Sequence, residues 1–197
     1  MTGHTLQPDA FDPPYLRLVR EQIEKSPLMA ADSLNRDFVG TRGFSVVFHR
    51  SALPRVVERF PWSERYLDRA LRADCNAFYL NPLQLKRGSH VAPHIDRSLR
   101  AYAKDVLPPL AVSVLYVVVP DGMRGGELVL RRGRKFLARI VPRAGSLVQF
   151  EGDLEHGIER VDSEGQRLSL VCEQYLLNEH ELEQVPEFTI ETRSRSY

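Results

Sequence analysis

The sequence predicts an α+β domain. Helical spacing of apolar residues is confined to the first third of the chain, and from Cys75 onward the apolar residues fall into short β-rich runs. Turn signals separate those runs. Helices first and strands afterward describe helices packed on one sheet face, and strands at this spacing suggest a sandwich, barrel or jelly roll.

The elements follow in order. Pro13-Pro14 opens a helix in which Tyr15, Leu16, Leu18, Val19 and Ile23 recur at helical spacing to about Lys25. After a polar stretch containing Gly40 and Gly43, Phe44 to His49 reads as a short strand. Leu53 to Arg72 carries two helical patterns, Val56, Val57 and Phe60, then Trp62, Tyr66, Leu67 and Leu71, and Pro61 divides them. Strands are expected at Asn76–Leu85, Val112–Val119, Glu127–Leu130, Lys135–Val141, Ser146–Phe150, His156–Val161 and Arg167–Leu177. Asp121-Gly122, Gly125-Gly126, Arg132-Gly133, Ala144-Gly145 and Ser163-Glu164-Gly165 supply the turns. The tail after Pro186 has little to bury and reads as a surface extension. One domain over 1–197 is expected, with a mainly helical support (1–74), a β core (75–177) and a C-terminal extension (178–197).

Composition agrees with one soluble domain. The chain has 197 residues, 43% hydrophobic and 27% charged, enough apolar side chains for a sizeable core. Its 27 basic and 26 acidic residues leave a net charge of +1, so no global field draws it to nucleic acid or membrane. The nearly apolar run Leu110 to Pro120 contains Ser113 and is too short to span a bilayer. Met1 to Pro14 lacks a basic start followed by an apolar stretch. Cys75 and Cys172 are too few for a disulfide framework and read as small buried apolar residues, which makes a reducing, cytoplasmic location the expectation.

The chemistry sits in the β region. His94-Ile95-Asp96 sets an imidazole and a carboxylate at i and i+2, on one face of a strand. His156 opens a later strand and Arg167 the next. A regular hairpin there would place Val161 opposite Gln166, Val171 opposite His156 and Arg160 opposite Arg167. Arg167, Ser169 and Val171 would share the face of His156, with Arg167 about 13 Å along it. Two neutral imidazoles and one carboxylate form the facial arrangement of non-haem Fe(II) oxygenases, which leaves positions for a bidentate 2-oxo acid and dioxygen. A buried guanidinium calls for a bidentate carboxylate partner.

On these residues the sequence resembles the Fe(II)/2-oxoglutarate-dependent dioxygenases, in their prolyl-hydroxylase-like branch. The metal motif, His-x-Asp followed by a distant His, falls on His94, Asp96 and His156. The basic anchor of 2-oxoglutarate falls on Arg167, in an Arg-x-Ser form with Ser169. The connecting pattern reads Val112–Val119, Gly125-Gly126-Glu127-Leu128, then Gly145-Ser146-Leu147-Val148-Gln149-Phe150. The resemblance covers about residues 75 to 177 and is specific to the superfamily, not to a substrate.

It implies a double-stranded β-helix core of jelly-roll or cupin-like form. It also implies Fe(II) held by His94, Asp96 and His156, and 2-oxoglutarate held by Arg167 with help from Ser169. Dioxygen would be the co-reactant and ascorbate the reductant. Decarboxylation to succinate and CO2 would accompany hydroxylation of an amino-acid side chain, free or in a peptide or protein, proline among them. Prolyl hydroxylases often hold the cosubstrate with Lys where this chain has Arg167. Oxygenases that repair nucleic acid carry a second Arg six residues on, where this chain has Glu173, so a nucleic-acid partner is not expected. Asp96 argues against halogenation, which needs a small residue there.

Tyr79 and Gln84, on the strand leading to His94, are further candidates for cosubstrate or substrate binding, and His90 for the pocket rim. The basic run Arg131-Arg132-Gly133-Arg134-Lys135 reads as a solvated hairpin tip. A segment between the metal strand and the next, from Asp105 to Pro109, is placed to act as a substrate lid. The alternative to an enzyme is a non-catalytic, metal-containing β-barrel binding or sensing module. A three-ligand facial site leaves room for reactants and favours the enzyme.

Overall fold

Period-two alternation on three long strands sets the architecture. The structure is a computed structural model, and it describes residues 3–31 and 37–192. In chain order the elements are β1 (His4–Gln7), α1 (Pro13–Glu24), β2 (Ala30–Ala31), β3 (Phe38–Val39), β4 (Arg42–Gly43) and β5 (Ser45–His49). There follow α2 (Leu53–Arg59), α3 (Glu64–Ala70), β6 (Ala77–Lys86), β7 (His90–His94) and β8 (Ala111–Val118). The chain continues through β9 (Leu128–Arg132), β10 (Lys135–Ile140), β11 (Leu147–Glu151), β12 (Glu155–Ile158), β13 (Gln166–Tyr175), α4 (Glu179–Gln184) and β14 (Phe188–Glu191).

Among the described residues the strands form two antiparallel sheets. The larger runs β1-β11-β8-β13-β6-β4-β2, with β5 also on β6 and β14 on β5. The smaller runs β10-β9-β12-β7-β3. Leu168, Leu170 and Cys172 on β13, Leu115 and Val117 on β8, and Phe78 and Leu80 on β6 turn outward and pack under the helices. Tyr15, Leu16, Val19 and Ile23 of α1 and Tyr66 and Leu67 of α3 cover them. The intervening residues, Arg167, Val171 and Glu173, Val112, Val114 and Tyr116, and Tyr79, Asn81 and Leu83, turn inward toward the smaller sheet. One face is thus a helix-backed core and the other the floor of a cavity.

Local chemistry fixes the helices. Asp12 caps α1 by accepting from the Tyr15 amide at 2.9 Å, and Pro13 and Pro14 occupy its first turn. Pro61 separates α2 from α3 as the pattern predicts. The Tyr66 hydroxyl reaches Ser113 Oγ at 2.8 Å and ties α3 to β8.

Several expectations change. The mainly helical first part of the chain also adds strands to the sheet: β1 extends the larger sheet from β11, β4 extends it from β6, and the strand expected at 44–49 forms as β5 on β6. Strand β7, which contains Pro93, has no apolar alternation and takes its extended form from pairing with β12 and β3. The tail after Pro186 is not a bare surface extension: β14 pairs with β5, Phe188 opposite Phe48. The hairpin between the strands of His156 and Arg167 does not form, and the two strands lie in different sheets. Both edges of β13 are taken, by β6 and β8. The 159–162 backbone bonds instead to Glu127, Ser89 and Arg124. The basic run is a hairpin tip as expected, joining β9 to β10.

Candidate active site

Pairing between β12 and β7 sets His156 opposite His94. Asp96 follows two residues after His94, just beyond the strand end, and is buried with His156. His94 Nε2 lies 3.2 Å from Asp96 Oδ1, and His156 Nε2 lies 3.4 Å from Asp96 Oδ2. The ring centroids are 4.5 Å apart. Backbone carbonyls fix both tautomers: His94 Nδ1 bonds to Ala92 O at 2.8 Å and His156 Nδ1 to Leu154 O at 3.1 Å. A carbonyl only accepts, so each Nδ1 carries a proton, and a ring with no second proton turns its Nε2 lone pair toward the carboxylate. Phe38 packs edge-on to His94 and Phe150 against His156, which holds the rings in place.

This convergence fits a cation. Asp96 Oδ2 is buried without a hydrogen-bond partner, and lone pairs facing an anion repel unless a positive charge lies among them. One donor atom from each residue falls within 4.8 Å of the others. Donors about 2.1 Å from one ion and at right angles lie about 3.0 Å apart, close to the spacings seen. Burial works against a charged imidazole at His94. The Asp96 hydrogen bond and charge outweigh it, with help from the Ala92 carbonyl and Glu173, and push its pKa up to about 9. Burial likewise opposes the Asp96 carboxylate, and the two histidines overcome it and hold its pKa well below the usual range. The triad attracts positive charge from either a proton or a metal.

A cavity of about 770 Å³ lies between the sheets with these residues on its wall. Arg167 is on its floor, 2% exposed. Its Nη1 donates to Gly126 O at 2.5 Å, its Nε approaches Ser169 Oγ at 3.4 Å, and its guanidinium carbon sits 4.9 Å from the Tyr116 ring centroid. Gly126 belongs to the Gly-Gly-Glu-Leu run, and a β-carbon there would come within 3.6 Å of Arg167 Nη1. Burial pulls the Arg167 pKa down, against the neighbouring Tyr116 and Glu127. The Tyr116 hydroxyl is buried without a hydrogen-bond partner. A guanidinium and a phenol, both with unused donors, make a pocket for a carboxylate. Sequence reading passed over Tyr116 because it lies in an apolar run, Val112 to Val119, whose even positions face the cavity.

The other candidates divide. Tyr79 lines the cavity, and its hydroxyl accepts from Ser45 Oγ at 2.6 Å. Ser169 touches Arg167 from beneath and is fully buried. Gln84 turns away to donate to Gln166 at 2.7 Å, and His90 stays at the Gly88 turn, so neither belongs to the cavity lining. From the segment after Asp96, Arg97, Ser98 and Ala101 line the cavity, whereas residues 105–109 do not. Ile190, Glu191 and Thr192 complete the wall from the C-terminal strand, a contribution hidden by the polar look of the tail.

Two antiparallel sheets around an inward-facing His-Asp-His triad and a buried Arg define a double-stranded β-helix of the oxygenase class. Residues 79–172 match the family described as the 2OG-Fe(II) oxygenase superfamily, and they carry the domain of an Fe(II)/2-oxoglutarate-dependent oxygenase. No curated protein matches the chain in sequence. Its fold is shared with a prolyl-4-hydroxylase of Pseudomonas putida, at TM-score 0.63 and 16% identity over 90% of this chain and 95% of that one. A prolyl hydroxylase of Trichoplax adhaerens, solved with a peptide fragment of a hypoxia-inducible-factor oxygen degradation domain, gives 0.60 and 13% over 92% and 86%. HygX of Streptomyces hygroscopicus, solved with nickel and 2-oxoglutarate, gives 0.57 and 16% over 87% and 82%. Among the described residues no helix is long and apolar enough to cross a membrane.

Proposed function

We propose that His94, Asp96 and His156 hold Fe(II), that Arg167 and Tyr116 bind the distal carboxylate of 2-oxoglutarate with Ser169 steadying the guanidinium, and that the protein hydroxylates an amino-acid side chain. The observation that carries this reading is the buried Asp96 carboxylate set between two imidazoles, Oδ1 facing His94 Nε2 and Oδ2, without a hydrogen-bond partner, facing His156 Nε2, on one cavity with an Arg that has no carboxylate partner among the described residues. Fe(II), when bound, supplies the activation of dioxygen that couples 2-oxoglutarate decarboxylation to substrate oxidation.

The chain's own residues supply placement. The Ala92 and Leu154 carbonyls keep both rings in the ligating tautomer, and Phe38 and Phe150 fix their planes. Gly126 O and Ser169 aim Arg167, so cosubstrate binding requires little reorganisation. Val112, Val114, Leu128 and Val171 keep the walls apolar and water scarce. The fold shared with a hydroxylase solved with a peptide supports a peptide or protein substrate, and a cytoplasmic location goes with the two unpaired cysteines. The deciding experiment is an anaerobic Fe(II) titration with and without 2-oxoglutarate, read by the visible charge-transfer band of a chelated keto acid. A band that appears only with both and is lost in Asp96→Ala supports the assignment; folded, metal-bound protein with no band rejects it.

A further inference from the structure

The cavity floor can be read in rows. On β13 and β6, Arg167 pairs with Leu85, Ser169 with Leu83, Val171 with Asn81 and Glu173 with Tyr79. At about 3.3 Å per residue, Glu173 lies roughly 20 Å along the strand from Arg167. The Arg167 side chain and a five-carbon diacid occupy the first part of that length. The far part, bounded by Tyr79, Asn81, Glu173 and Glu191, is left for the primary substrate.

That far part is built from acceptors. Asn81 is 9% exposed and faces the cavity. Its Nδ2 donates to Ser45 Oγ at 3.1 Å, while the Ser45 hydroxyl spends its one proton on the Tyr79 oxygen at 2.6 Å. Ser45 can therefore only accept from Asn81, which fixes the amide orientation. Asn81 Oδ1 is left buried without a partner, a costly state that a donor from a ligand would relieve. Glu191 joins the same wall from β14, whose pairing sets it opposite Ser45. Glu173 closes the end, its carboxylate already accepting from the Ser98 hydroxyl at 2.5 Å, the Ser98 amide at 3.3 Å and the Tyr175 hydroxyl. The charged residues of the whole lining are Asp37, Asp96 and Glu191 against Arg97 and Arg167, with Glu173 held neutral by burial, and Arg97 is exposed. The charges of Fe(II) and the 2-oxoglutarate dianion cancel each other, so the acidic excess of the lining persists in the loaded site.

Resting on the oxygenase reading above, we infer that the primary substrate carries a protonated amine. Its N–H donates to Asn81 Oδ1 and its charge faces Glu191. An amine answers both features at once. A neutral hydroxyl would satisfy Asn81 but not the acidic wall, and a carboxylate would be repelled by it.

The test compares 2-phenylethylamine with 2-phenylethanol, which differ in the cationic nitrogen alone, by ligand-observed NMR titration of protein loaded with Zn(II) and 2-oxoglutarate. The amine is expected to bind at least about tenfold tighter, the scale of one charge-assisted hydrogen bond. In Asn81→Leu and in Glu191→Gln that ratio is expected to fall below about threefold while 2-oxoglutarate affinity stays within about twofold. Glu191→Gln lies on a half-buried strand and tests the idea should Asn81→Leu fail to fold. Equal binding of amine and alcohol, or a ratio unmoved by either substitution, overturns the subsite and leaves Asn81 Oδ1 to water. The Fe(II) charge-transfer band on the same protein separates the two readings. A band without amine preference removes only the subsite, and amine preference without a band removes only the oxygenase assignment.

Discussion

Gly157 lies so close to Val91 that a β-carbon on it would come within 2.9 Å of the Val91 carbonyl oxygen. The β12–β7 register shifts at this point, between the His156–His94 pair and the Ile158–Val91 pair. The glycine lets the two strands approach, and that approach brings the two imidazoles together.

Gly157→Ala is therefore expected to push β12 from β7 and to loosen metal binding by at least about tenfold, alongside a stability loss of about 1–3 kcal/mol from overpacking. Metal affinity by competition with a chromophoric chelator, and thermal unfolding with and without metal, read the two effects separately. Wild-type metal affinity in the variant would show that the ladder absorbs the methyl group without moving the histidines.

Arg167 and Tyr116 should separate by size of effect. Arg167→Ala removes a buried charge-assisted pair and is expected to raise the 2-oxoglutarate Kd by about 10–100-fold. Tyr116→Phe removes one neutral donor and should raise it about three- to tenfold. Both should leave Fe(II) affinity near wild type, because neither touches the triad. Calorimetric titration of 2-oxoglutarate into metal-loaded protein measures each. An unchanged Kd in Arg167→Ala would move the cosubstrate elsewhere in the cavity.

Legibility of the sequence followed the reach of each signal. The long strands β6, β8 and β13 were readable because their largely apolar, β-rich runs announce two buried faces, and Pro61 announced the break between α2 and α3. The His-Asp-His set and Arg167 were readable because those residue types are rare inside a β core. Strands β1, β7 and β14 were not, since they are short and are extended only because a neighbour offers an edge. The false hairpin shows the same limit. A four-residue turn is a local signal, and the decision against it was made by β6 and β8, which fill both edges of β13. Asn81 escaped notice because its importance lies in a hydrogen bond left unmade, and Glu191, whose carboxylate accepts from the Tyr102 hydroxyl, because it sits in a polar-looking tail.

The two cysteines should be chemically silent in the folded protein. Cys75 and Cys172 are 1% and 0% exposed. Burial, with the charge of Asp74, pushes the Cys75 thiol up to about 11, and burial beside Glu173 raises Cys172 well above its usual value. The thiolate is the reactive form, so at pH 8 neither thiol should react with a disulfide reagent on the native protein, and both should react in guanidinium. Rapid labelling of one thiol under native conditions would show that α3 and the β6 end open locally.

Glu173 gives the fold a distinctive pH dependence. Burial, reinforced by the nearby Asp96 charge, outweighs the hydrogen bonds from Ser98 and Tyr175 and raises its pKa from 4.5 to about 8. The folded state therefore holds a proton that the unfolded chain gives up above about 4.5, and stability from this group is present in full at lower pH and lost as pH rises toward 8. Glu173→Gln keeps a buried, neutral side chain of the same shape and removes the titration. In metal-free protein, unfolding measured from pH 5 to 8 should show the variant gaining on wild type as pH rises. The difference between the two isolates Glu173 from His94, whose raised pKa contributes over an overlapping range. Parallel curves would show that Glu173 is ionised throughout and that Ser98 and Tyr175 fully offset its burial.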